Sequence, residues 1–141
     1  MMRAVAMDDE TPTLQELPVI EMARPMPGFP EDQRFALVHL DDAGMLGALR
    51  SLDHDGLEFL VVPAVQFFPS YAPEIEDDLV AELGITSADD VVVLLVVHAG
   101  ESLASTTVNL RAPLVINTIT RRAAQVILED GSLAVAAPLV A

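Results

Sequence analysis

The sequence predicts an all-β fold: a small, compact β-barrel-like single domain with one or two short helical segments. Three observations predict it. From Leu17 onward, short β-favouring stretches alternate with turn residues. Helical spacing of apolar residues is confined to Glu74–Leu83 and, at most, one further turn. The run Val91–Val97 is apolar on both faces, as in a central strand covered from both sides or one threading a barrel interior. The length of 141 residues and the hydrophobic fraction of 52% suit one domain. Such a chain buries about two-thirds of its unfolded surface and needs no staples.

Residues 1–15 carry acids, Thr and Pro without periodicity and read as a loose N-terminal arm; 16–141 form the barrel domain. The first four strands are expected at Leu17–Met22, Phe35–Leu40, Ala48–Leu52 and Leu57–Val62. Asp55-Gly56 joins the last two as a hairpin turn, because Gly accepts positive φ without penalty. Pro63 ends that ladder or confines it to an edge. In Glu74–Leu83, Ile75, Leu79, Val80 and Leu83 recur at helical spacing, Asp77 and Asp78 suit the helix dipole, and Gly84 is the stop. Ser87–Asp90 offers one more turn. Beyond Val91–Val97, strands are expected at Thr106–Leu110 and Leu114–Asn117, separated by Ala112-Pro113. Gln125–Leu128 and Leu133–Val135 read as a last pair joined at Asp130-Gly131. About eight to ten short strands with so little helix favour a barrel or sandwich.

Charge narrows function. Acidic residues number 22 and basic residues 7, all arginine, for a formal net charge of -15. That field repels phosphate backbones and anionic lipid surfaces, so neither nucleic acid nor membrane is an expected partner. Basic proteins and cations are. The longest apolar run falls far short of the ~20 residues that span a bilayer. The opening Met-Met-Arg-Ala-Val-Ala-Met is too short for a signal peptide, and a cytoplasmic protein is expected. No cysteine is present, which removes disulfides, thiolate metal sites and a cysteine nucleophile.

Catalytic patterns are missing. Gly100-Glu101-Ser102-Leu103-Ala104 approaches a nucleophile elbow but lacks the closing Gly. No glycine loop suited to phosphate occurs. His54 lies between Asp53 and Asp55, and His39 precedes Asp41 and Asp42, yet adjacent residues do not converge on one ion unaided. A solvated hairpin tip is the plainer reading of Asp53–Gly56, and a satisfied barrel histidine that of His98. Acid pairs such as Glu31/Asp32, Asp41/Asp42 and Asp77/Asp78 read as hydrated turns. No cofactor is expected.

The aromatic residues are more informative. Phe67, Phe68 and Tyr71 cluster in a proline-stiffened segment that leads to Glu74, Ile75, Asp77 and Asp78. Those seven residues are the candidate partner-binding set, an aromatic rim beside an acidic helix. The alternative is a loop folded back over the barrel mouth.

Four fragments in order carry a family resemblance over Leu17 to Leu139. They are Pro27-Gly28-Phe29-Pro30-Glu31, Leu49-Arg50-Ser51-Leu52-Asp53, Phe67–Ile75 with its Phe-Phe-Pro-x-Tyr-x-Pro-x-Ile spacing, and Asn109–Asn117 followed by Gln125–Leu128. The chain resembles the FliW family of bacterial flagellar assembly factors. Departures are Pro30 inserted after Phe29, Arg50 for the usual Gln, and Val62-Pro63 for Asp-Pro. Ala123-Ala124 stands in place of a Gly-containing turn, and the opening strand with its Phe-Gly is missing.

The resemblance implies a non-enzymatic β-barrel protein, a monomer when free. Its implied partners are CsrA, a small RNA-binding translational repressor, and flagellin. Bound to CsrA, such a protein relieves repression of flagellin mRNA; accumulating flagellin takes it away again. Gly28, Phe29, Asn109, Pro113 and Asn117 are expected to be structural. Two other readings stay open: an acidic barrel binding a metal or small ligand, and a flagellin chaperone without a CsrA partner.

Overall fold

A computed structural model describes residues 16–139 and the backbone of the strand Met2–Arg3. The rest of the expected N-terminal arm lies outside the described residues. In chain order the strands are β1 (Met2–Arg3), β2 (Leu17–Met22), β3 (Arg34–His39), β4 (Gly47–Ser51), β5 (Glu58–Pro63) and β6 (Glu74–Ile75). They continue with β7 (Val91–His98), β8 (Thr107–Val108), β9 (Leu114–Asn117), β10 (Arg122–Gln125) and β11 (Ala137–Pro138). Helix α1 (Ala64–Phe67) follows β5 and α2 (Asp77–Glu82) follows β6.

Seven strands close into a barrel in the order β7-β5-β4-β3-β2-β10-β9 and back to β7. Every neighbouring pair is antiparallel except β10 with β2. The eight-residue β7 makes closure possible: Val91–Leu94 pair with β9, Leu94–Val96 with β5, and Val97–His98 with β8. Its apolar character on both faces has a direct cause. Leu94 points into the barrel, while Leu95 is buried on the outer wall.

The inner core gathers Leu17, Ile20, Phe35, Leu37, Leu49, Val61, Leu94, Leu114 and Ile116. Strict alternation would place Leu17 and Ile20 on opposite faces. A register shift between them in β2 brings both inside, as a bulge does. Two further clusters clad the outside of the barrel. Val115 and Ala124 pack under Ile75, Leu79, Leu83 and Ile85. Val62, Leu95, Val108 and Ala137 pack under Phe67, Phe68 and Tyr71.

The structure corrects the expected elements at several points. Glu74–Glu76 is not helical: Glu74 and Ile75 pair with Arg3 and Met2, and helix begins only at Asp77. The stretch Thr106–Leu110 shrinks to β8, because Asn109 Oδ1 takes the Arg111 N–H and turns the chain. The tract Gln125–Leu128 leaves the ladder after Gln125, although Val126 N–H still donates to Pro113 O and Leu128 N–H to Arg111 O. The return bonds are missing for two reasons. Pro113 has no N–H, and the Arg111 N–H is spent on Asn109. Leu133–Val135 forms no strand, and Asp130-Gly131 is a side-chain-locked turn in which Asp130 Oδ1 accepts from Ser132 N–H. Ala123-Ala124 lies within β10 rather than in a turn; the turn before it contains Arg121, held at φ 64°.

Candidate partner-binding site

Pro63 closes β5, and the chain then runs through α1 along the outer wall. Phe67, Phe68 and Tyr71 are half-buried there against Val62, Leu95 and Val108. They clad the wall rather than close the barrel mouth. The Tyr71 hydroxyl donates to Leu110 O, and burial pushes its pKa up, so it remains a donor. This bond fixes the segment to the loop after β8.

Of the seven candidate contact residues, Tyr71 and Glu74 line a groove of about 870 Å³. Its first wall is Ser70–Glu74 with Glu76 and Leu79; its second is Gln125–Asp130 with Leu133. Asp77 and Asp78 are exposed on the first turn of α2 but do not line the groove. Phe67 and Phe68 do not line it either. Ile75 must be corrected: it is fully buried against Leu79, Leu83 and Val115, so it supports the surface without touching a partner.

The second wall was missed as a site because Gln125–Leu128 reads as an ordinary strand. The available signal was Pro113 opposite Val126, which forbids a full ladder. Ile127 is 62% exposed, conspicuous for an apolar residue lining a groove. Carboxylates of Glu74, Glu76, Glu129 and Asp130 surround it. Among the described residues Arg24 is the only cation on the walls, and both Glu82 oxygens hold its guanidinium at 3.1–3.3 Å. The groove therefore mixes apolar side chains, Leu79, Val126, Ile127, Leu128 and Leu133, with four carboxylates.

The residues of the resemblance mostly brace the barrel. Gly28, at φ 85°, makes the turn that returns Phe29 N–H to Met26 O. Phe29 then stacks edge-on against Phe59 at 5.2 Å. Pro113 is buried at the start of β9. Asn117, 1% exposed, donates to Leu83 O and accepts from Ile119 and Thr120 N–H. Asn109 shapes its own turn through Arg111.

The histidines do not assemble a metal site. His39 and His98 are exposed, so the barrel-interior reading of His98 is corrected. His54 lies on the exposed hairpin tip Asp53–Gly56, as the sequence suggests, and is in addition tied back to the barrel. Its Nδ1 donates to Asp32 Oδ1 at 2.6 Å, and Ser51 Oγ donates to the same oxygen at 2.7 Å. Asp32 is 3% exposed, so Glu31/Asp32 is not simply a hydrated pair. The Ser51 hydroxyl first, and His54 second, hold the Asp32 pKa below the ordinary aspartate value. Asp32 in turn raises that of His54. Beside it, Asp53 Oδ2 accepts from the Gln33 and Arg34 N–H groups, which lower its pKa. These carboxylates lock loops at a barrel end. Among the described residues no three His, Asp or Glu side chains come together as metal ligands. Ser102, the elbow candidate, exchanges bonds with Ser105 across a single 3-10 turn.

This closed barrel has the fold of a solved flagellar assembly factor, FliW. That structure superposes with a TM-score of 0.83 at 26% identity, covering 99% of this chain and 98% of the other. The family model described as FliW protein matches residues 8–139. Flagellar assembly factors FliW of Syntrophus aciditrophicus and Clostridium novyi are 35% and 33% identical to it. These alignments cover 83% and 89% of this chain, and 74% and 87% of the relatives. The chain belongs to the FliW family. Among its described residues no helix is long and apolar enough to cross a membrane.

Proposed function

We propose that this flagellar assembly factor acts in the cytoplasm by binding alone. It binds CsrA, thereby relieving repression of flagellin mRNA, and flagellin sequesters it in turn. It is a monomer when free, takes no cofactor, catalyses no reaction and leaves nucleic acid to CsrA. The observation that carries this reading is the groove lined by Glu74, Glu76, Glu129 and Asp130 beside apolar side chains, on a chain of net charge -15. An RNA-binding repressor must carry cationic surface, and an acidic partner is steered toward it at long range.

The test is a pull-down of CsrA and flagellin from the same organism by the purified chain, with a competition arm. The expected result is capture of CsrA, weakened by salt and reversed by added flagellin. Capture of neither protein at low salt overturns the proposal.

A further inference from the structure

We infer that the groove takes an extended, basic polypeptide segment as an added strand along the Ile127–Glu129 edge. The inference deepens the reading of the groove as a partner surface and rests on it. The segment after β10 is extended: Val126 and Leu128 turn their N–H groups to Pro113 and Arg111, at 2.9 and 2.7 Å. In such a chain, alternate residues direct their backbone groups to the opposite side. Those residues are Ile127 and Glu129, which both line the groove. Among the described residues neither their N–H groups nor their carbonyl oxygens have a hydrogen-bond partner.

The facing wall does not close this edge. Pro73 has no N–H, and Glu74–Ile75 already pairs with Met2–Arg3. An unpaired edge beside exposed apolar side chains such as Ile127 is the geometry that strand addition uses: main-chain bonds supply affinity and alternate side chains supply selectivity. Charge selects the occupant. Glu76, Glu129 and Asp130 face the groove, while the one cation among its described residues, Arg24, is clamped by Glu82. An incoming strand that alternates apolar and cationic residues seats the first against Ile127 and Leu133 and the second against the carboxylates. An acidic strand is repelled.

The test uses the full chain and the synthetic peptide acetyl-Lys-Val-Arg-Val-Lys-Val-amide, with a twin carrying Glu at every cationic position. The basic peptide is expected to slow exchange of the Ile127 and Glu129 amide protons by about tenfold or more at saturation. The acidic twin is expected to leave them unchanged. Ile127→Pro removes one donor and is expected to weaken the peptide by about fivefold to tenfold. If that variant does not fold, the exchange measurement on the unsubstituted chain decides. Failure of the basic peptide to bind, or binding that leaves both amides as in the free chain, overturns the inference. No CsrA is present in this experiment, so its failure is distinct from a failed pull-down. Capture of CsrA with both amides unprotected removes strand addition and leaves the partner reading intact.

Discussion

Asn117 Nδ2 donates to the carbonyl oxygen of Leu83 at 2.9 Å, joining the end of β9 to the end of α2. The same oxygen accepts from Thr120 Oγ1, and Asn117 Oδ1 caps the N–H groups of Ile119 and Thr120. One buried amide thus fixes the outer helix to the barrel and shapes the turn before β10. Asn117→Ala removes one of the two donors to Leu83 O and the acceptor of the Ile119 and Thr120 N–H groups, three hydrogen bonds each worth about 0.5–1.5 kcal/mol. A loss of at least about 2 kcal/mol is expected in urea unfolding, with the m-value unchanged.

Gly84 ends α2 at φ 68°, and an added Cβ would lie 3.2 Å from Thr120 Cγ2. The left-handed conformation alone costs a non-glycine residue about 1–2 kcal/mol. Gly84→Ala is therefore expected to lower stability by roughly that amount despite the helix preference of alanine. Thermal unfolding followed by circular dichroism checks it; an unchanged or higher Tm counts against the left-handed stop.

The pair His54–Asp32 predicts a pH dependence with two opposite limbs. The folded pKa of His54 is raised, so its contribution is complete below the unfolded value and is lost as pH rises through the folded one. That of Asp32 is lowered, so its contribution is present above the unfolded value and is lost as pH falls through the folded one. The contact is strongest in mildly acidic solution. The Tm difference between the natural chain and His54→Ala is expected to be greater near pH 6 than near pH 8.5. A difference that is flat with pH removes the ionic contribution.

Core and surface contacts should separate clearly. Leu94 is fully buried inside the barrel, and Leu94→Ala is expected to cost about 3 kcal/mol or more through lost burial and the cavity left behind. The Arg24–Glu82 ion pair is geometrically good but 47% and 35% exposed. Arg24→Ala should cost less than about 1 kcal/mol, because water screens the pair and ordering two long side chains opposes it. Denaturant midpoints of the two variants measure the contrast.

The barrel strands were legible where the cause was local. Alternation in Phe35–Leu37, the Asp55-Gly56 turn and the two-faced run in β7 all act through neighbouring residues. Errors arose where distant groups intervened. Nothing near Asp32 in sequence announces that Ser51 and His54 will tie it into a buried contact. Gln125–Leu128 has strand composition throughout, but its ladder fails because of Pro113 and Asn109, a dozen or more residues away. Glu74–Ile75 carries the helical spacing of α2 yet is claimed by β1. The candidate site shows the same division. Its aromatic half is visible as a cluster in sequence, and the structure spends Phe67, Phe68 and Ile75 on packing. Its second wall, and hence the groove, exists only once β10 and its exit segment are brought beside Tyr71.

The most direct measurement is an isothermal titration of the purified chain with CsrA from its own organism, repeated at low and high salt. A saturable association that weakens as salt rises is the predicted result. Absence of binding at low salt, with flagellin equally inert, contradicts the account.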